Sequence, residues 1–288
     1  MNIRLLLLFL PLLSFSQSVR IQDSQSKEPI PFVNIWIKGS QSGTTSNENG
    51  KFELALKPAD TLVLSAIGYE RLEIPYRSFE STVTMNRSLE QLDAVVIEKP
   101  KFEKEQTFGD LKMKKRGSSW GCGNIPWMVG SQIPFTEKYD ATPFLKKLVV
   151  VTQSDIKEAK FAVRLYDIAE SLYKYPLNDE PIYAIAKKGK QDTEIDLSKH
   201  HIIFPETGLT VVFEFLIIEE NKHIYTATSS ETGKRNKHIS YEPAFRMRKP
   251  KQLNASNISY IRGSWKNKKD SNYGYYETEI ALQLVMTN

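Results

Sequence analysis

The chain has 288 residues, 25% of them charged and 40% hydrophobic, with a single cysteine. That composition fits one or two globular domains and excludes a collagen, a low-complexity polymer or a disulfide-stapled miniprotein. The 39 Lys and Arg against 34 Asp and Glu leave a net +5, too small and too dispersed to call for a nucleic-acid partner.

Residues 1–16 have the pattern of a Sec-type signal peptide: Arg4, an apolar run from Leu5 to Leu13, then the small residues Ser14 and Ser16. The run is shorter than the roughly 18 residues a spanning helix needs. Cleavage after Ser16 removes Arg4 and lowers the net charge by one, and no cysteine lies near the cut to carry a lipid. The most apolar later stretch, Leu209 to Ile218, is ten residues long and holds Glu214, so no transmembrane segment is expected after leader removal. The second half lacks the succession of ten-residue lipid-facing strands of an outer-membrane barrel. Cys122 has no intrachain partner, so stability rests on packed cores.

From Ser18 to Glu98, seven short β-type runs alternate with turn residues: 19–21, 32–37, 52–56, 62–66, 72–74, 82–85 and 95–97. Along 32–37, Val33, Ile35 and Ile37 form the better core face, and Phe32, Asn34 and Trp36 the other. Asn47 to Gly50 reads as a hairpin turn in which Gly50 takes a positive φ, and Gly68 reads as a bend.

Three motifs recur here in order: Pro29-Ile30-Pro31-Phe32-Val33-Asn34-Ile35, Gly43 to Phe52, and Asp60-Thr61-Leu62 followed by Ser65 and Ile67-Gly68-Tyr69. Together they closely resemble the carboxypeptidase regulatory-like domain, over about residues 18–98. The resemblance implies a transthyretin-like seven-stranded β-sandwich without catalytic activity, of the kind common in exported Bacteroidota proteins and often placed before the plug of a TonB-dependent receptor. Leu92 to Glu98 looks like the segment that follows this domain in those receptors. Leu92, Val95, Val96 and Ile97 are read as a last sandwich strand or as a strand offered to an outside partner.

Residues 99–118 turn charged and read as a linker or exposed edge. From Trp120 onward strand-like runs at 147–152, 160–166, 182–186, 193–197, 209–218, 224–228, 257–261 and 273–286 predict a larger jelly-roll-like β-sandwich over 119–288. The run 211–218 is apolar on both faces, as in a strand covered on two sides, whereas 161–168 alternates and predicts one core and one solvated face. The whole chain is therefore expected to be all-β. This half resembles, loosely, a sandwich found beside regulatory-like domains in Bacteroidota envelope proteins.

Catalytic signatures are scarce. The histidines at 200, 201, 223 and 238 have no zinc-motif spacing and read as surface or edge residues, with His200 and His201 on opposite faces of a strand. No metal or cofactor is expected. Cys122, in a Gly-flanked loop, reads as a buried thiol rather than a nucleophile. Asp192, Glu194 and Asp196 share one strand face and read as solvated. The ligand-binding candidates are Trp265, Tyr273, Tyr275 and Tyr276, with Lys266 and Lys268 beside them to attract acidic glycans. The sequence reading is thus an exported, non-enzymatic envelope protein, periplasmic or outer-membrane-associated, with the cell surface as the alternative. Its partner is an envelope glycan or an outer-membrane protein. A strand-pairing assembly factor and a hydrolase on the C-terminal sandwich are the competing readings.

Overall fold

The computed structural model describes residues 19–40, 42–78, 81–88, 100–112, 117–170, 176–178, 180–229, 233–249, 254–261, 264–267 and 278–288. Within them every regular element longer than a single 3₁₀ turn is a β-strand. The proposed leader, the 92–97 strand and the 273–276 tyrosines with Lys268 lie outside the described residues.

The N-terminal unit holds β1 (Val19–Asp23), β2 (Asn34–Ile37), β3 (Gly43–Thr45), β4 (Lys51–Phe52), β5 (Thr61–Ser65), β6 (Leu72–Pro75) and β7 (Thr82–Met85). They form two sheets, ordered β4-β1-β7 and β3-β2-β5-β6. Between them lies a core of Ile21, Val33, Ile35, Ile37, Leu62, Leu64 and Met85. The expected inward face of β2 is thus the observed one. Gly50 has φ +69°, and a Cβ there would sit 2.4 Å from the Ile21 carbonyl oxygen, so only glycine fits. Asn47 Oδ1 accepts the N–H groups of Asn49 and Lys51 around the same turn, each at 3.0 Å. That turn is not a hairpin: it carries the chain from β3 in one sheet to β4 in the other.

The C-terminal unit comprises β8 (Glu105–Gly109), β9 (Ser119–Cys122), β10 (Trp127–Ile133), β11 (Phe144–Asp167), β12 (Ile182–Asp196), β13 (Leu209–Phe215), β14 (Lys222–Thr228), β15 (Arg235–Arg248), β16 (Ser256–Ile261), β17 (Ser264–Lys266), β18 (Glu279–Ile280) and β19 (Leu282–Thr287). All join one twelve-stranded sheet. The runs 147–152 and 160–166, expected as two strands, are one 24-residue strand, β11; 182–186 and 193–197 merge likewise into β12. A register break between Ser154 and Glu158 lets β11 bend without ending. On one side β12 follows it along its length; on the other β19, β15 and β13 succeed one another. The sheet folds over on itself and encloses Leu148, Phe161, Val163, Phe213, Phe215, Phe245 and Leu284. Phe245 is ringed by Phe213 at 4.7 Å, Phe215 at 5.1 Å and Phe161 at 5.2 Å between centroids. Within the charged 99–118 segment, β8 pairs with β19 from Glu105↔Thr287 to Gly109↔Gln283, so part of that segment belongs to the sheet.

The face of 161–168 expected to be solvated is instead buried. Ala162, Arg164 and Tyr166 are as buried as Phe161, Val163 and Leu165, because the N-terminal unit covers them. Trp36 and Val63 pack on Met128, Tyr166, Val212, Ile258 and Tyr260, and Phe32 packs on Ala162, Leu216 and Ile218. This second cover is why 211–218 is apolar on both faces. Trp36 Nε1 donates to the Pro126 carbonyl at 3.4 Å, and the Ile217 N–H donates to Thr45 Oγ1 at 3.0 Å, so polar groups at the seam are paired across it.

Candidate functional site

A cleft of about 370 Å³ opens along this seam. One wall comes from the N-terminal unit, with Ile30, Phe32, Ile67, Tyr69 and Arg87; the other, with Ala162, Arg164, Tyr183 and Glu214, comes from β11, β12 and β13, and Pro181 just before β12 completes it.

Local folding places each group. Phe32 lies just before β2, not within it as expected, and its φ of 53° is left-handed, an uncommon and strained conformation for a non-glycine residue. The turn sets its ring edge-on to Tyr183, with centroids 4.9 Å apart. Tyr183 sits on the outward face of β12, 38% exposed. The two rings make an aromatic wall at the mouth.

The floor is ionic. Arg164 pairs with Val212 across the ladder, which puts Glu214 diagonally beside it on the same sheet face. Arg164 Nε donates to Glu214 Oε2 at 2.5 Å, with both side chains almost wholly buried. Burial pushes the Glu214 carboxyl up from the ordinary carboxylate range, and the Arg164 charge offsets this only in part. Its second oxygen, Oε1, is buried and has no hydrogen-bond partner. A buried carboxylate oxygen left unpaired costs free energy, and a hydroxyl or amine donor entering the cleft would supply the missing bond.

Beside the cleft, Asp23 Oδ2 accepts from Arg87 Nε at 2.7 Å and from Tyr69 OH at 3.0 Å, while Oδ1 accepts the N–H groups of Gln25 and Ser26. The Arg87 guanidinium also lies over the Tyr69 ring, 5.5 Å from its centroid. Asp23, Tyr69 and Arg87 are thereby locked as one rim.

The N-terminal wall is thus a two-sheet module carrying the Gly50 turn and the Ile67-Gly68-Tyr69 bend. Residues 20–97 match the CarboxypepD_reg-like domain. A stretch of 93 residues is 31% identical to the TonB-dependent receptor SusC of Bacteroides thetaiotaomicron, covering 31% of this chain and 9% of the receptor. Another of 71 residues is 39% identical to the TonB-dependent receptor P39 of Formosa agariphila, covering 24% of this chain and 7% of that protein. The chain thus spans less than a tenth of the length of these relatives. Among solved structures, the cysteine protease and lectin-like domains of Cwp84, a surface layer associated protein of Clostridium difficile, align with 85% of this chain and 45% of that one, at 9% identity and a TM-score of 0.37.

The CarboxypepD_reg-like domain contributes Phe32, Tyr69 and Arg87 to the cleft; none was singled out as a site residue from sequence. Of the sequence candidates, Trp265 and Lys266 lie on the short strand β17, away from the cleft lining. Trp265 is half-buried, 5.0 Å from Tyr260 and 6.5 Å from Tyr166 between ring centroids. It forms part of the seam's packing. Trp127 stacks on Phe215 at 5.3 Å, and Trp120 packs against Trp127 at 5.9 Å. Cys122 is buried, its thiol donating toward the Gly123 and Ile125 carbonyls, and burial pushes its pKa up, away from thiolate chemistry.

Asp192, Glu194 and Asp196 alternate along the exposed face of β12 as expected. His200 and His201 are not on a strand: His200 closes a 3₁₀ turn, Ser198–His200, and His201 follows in the left-handed region at φ 49°. His223, expected at the surface or an edge, is partly buried and lies beside Asp155 and Glu242, residues from three strands that no local spacing reveals.

Proposed function

We propose that this chain is an exported, non-enzymatic envelope protein, outer-membrane-associated or periplasmic, that binds a glycan in the cleft between its CarboxypepD_reg-like domain and its C-terminal sheet. The observation that carries the reading is the pairing of the Phe32 and Tyr183 aromatic wall with the unsatisfied Glu214 Oε1 on the floor. Aromatic faces cover the C–H faces of a sugar, and a buried acceptor takes one of its hydroxyls. Arg87 on the rim adds a cationic contact suited to acidic sugars. The outer-membrane placement is supported by the TonB-dependent receptors among the relatives of the N-terminal domain.

Screening the intact chain against a panel of neutral and acidic oligosaccharides by calorimetry tests this. Tyr183→Ala is expected to weaken binding about tenfold while leaving the fold intact, since Tyr183 is partly exposed. Glu214→Gln is expected to alter which oligosaccharide is preferred. A panel without any binder, or binding indifferent to Tyr183→Ala, overturns the reading. Release of shortened sugars from the bound oligosaccharide would make the site a hydrolase instead, with Glu180 and Glu214 as its two carboxyl groups on the cleft.

A further inference from the structure

A second site lies away from the cleft, at the root of the β14–β15 hairpin. Asp155, His223 and Glu242 each offer one ligand atom, and the three atoms lie within 4.8 Å of one another. His223 Nδ1 is 3.7 Å from Asp155 Oδ2 and 3.8 Å from Glu242 Oε1. Both gaps are too long for hydrogen bonds, and Nδ1, buried from solvent, has no hydrogen-bond partner. Nδ1 therefore lies beside two carboxylates that do not reach it.

We propose that Asp155, His223 and Glu242 form a binding site for a divalent transition-metal ion of the zinc class. A metal bound at about 2.0–2.2 Å to one nitrogen and two oxygens in a tetrahedral arrangement brings the ligand atoms to about 3.4 Å from one another. The 3.7 and 3.8 Å spacings from the imidazole need only a few tenths of an ångström of closure, and the two carboxylate oxygens, within 4.8 Å of each other, need up to about 1.4 Å, which rotation of the exposed Asp155 side chain can supply. Two carboxylates and a neutral imidazole supply two negative charges against a dication, and a nitrogen in the set favours zinc-class ions over calcium or magnesium, which prefer oxygen ligands.

The strands hold the ligands in place by their irregularities. Asp155 falls in the register break of β11 between Ser154 and Glu158, and Glu242 in that of β15 between Tyr241 and Phe245; bulges turn side chains away from the regular alternation. His223 is held in the β14 ladder opposite Ser240, whose hydroxyl donates to Glu242 Oε1 at 2.9 Å and orients that carboxylate. Asp155 is well exposed and Glu242 is buried, so the site opens to solvent on the Asp155 side, where a fourth ligand can enter. The bound ion would join the hairpin to the bend of β11.

Titration of the intact chain with Zn²⁺ by calorimetry is expected to show one tight site per chain. Asp155→Asn and His223→Gln should each weaken it by about tenfold or more. His238→Gln should leave it unchanged, because His238 stacks on Tyr225 and is not among the three ligands. Asp155 is a surface residue, so its variant keeps the test valid should the histidine variant fold poorly. Absence of Zn²⁺ binding, equal binding in Asp155→Asn, loss on His238→Gln alone, or Ca²⁺ binding as tight as Zn²⁺ would each overturn the assignment.

Discussion

Asp23 shows how much one side chain organises at the N-terminal unit. Its carboxylate accepts two backbone N–H groups, a tyrosine hydroxyl and an arginine Nε, and those bonds, the backbone pair foremost, lower its pKa from 3.8 to about 2. The folded state therefore holds the proton more weakly than the unfolded chain. The resulting stabilisation is complete above about pH 4 and is lost as the pH falls toward 2. Urea midpoints recorded from pH 5 to pH 2 should drop for the native chain, and Asp23→Asn should flatten that part of the curve. An unchanged pH slope in the variant would show that other carboxylates carry it.

At the scale of elements, β13 and the second half of β11 are covered on both faces, by the folded-over core on one side and the N-terminal unit on the other. Met128, on the seam face, and Leu165, on the core face, are both nearly inaccessible. Truncating either to alanine is expected to cost about 2–5 kcal/mol in denaturant unfolding. Were the seam face solvated, Met128→Ala would cost only a few tenths of a kcal/mol.

The two-sided burial of β13 was legible, because 211–218 is apolar at every position but Glu214. The matching burial beside it was not, because Arg164 in an alternating run has the pattern of a wet face. Only the contact with Glu214 and the cover of the N-terminal unit make that arginine an interior residue. Likewise β2 showed which residues face its own core, but nothing in Phe32, Asn34 and Trp36 disclosed that the opposite face meets a second unit. The joined strands β11 and β12 read as four because the mostly polar residues 153–159 and the polar residues 187–192 interrupt the apolar runs. Those residues continue the ladder, around a bulge in β11 and past Gly189 in β12. The zinc-class triad escaped for a plainer reason: its ligands stand 68 and 19 positions apart along the chain (155 to 223, 223 to 242) and meet only through strand pairing.

For the whole molecule, the seam predicts joint unfolding. Trp36 bridges the units through its ring packing and its Nε1 bond to Pro126, and at Gly43 a Cβ would meet the Pro126 ring at 2.8 Å, so the β3 backbone packs directly on that ring. Calorimetry of the native chain should show one cooperative transition. Trp36→Ala should lower its midpoint and split it in two, since losing a buried tryptophan costs about 3–5 kcal/mol and most of that loss falls on the coupling. Two transitions already present in the native chain would refute the coupling.

That seam also bears on how freely the N-terminal domain can be traded between proteins. A module transplanted elsewhere takes its whole surface with it, and here that surface includes Trp36, Phe32 and Val63, three apolar residues shaped to one particular neighbour. Grafted onto a foreign host it would arrive adhesive, and the C-terminal sheet left behind would show bare Met128, Val212 and Ile258 to whatever chain passed by. In this molecule the domain has ceased to be a detachable part and has become one half of a joint.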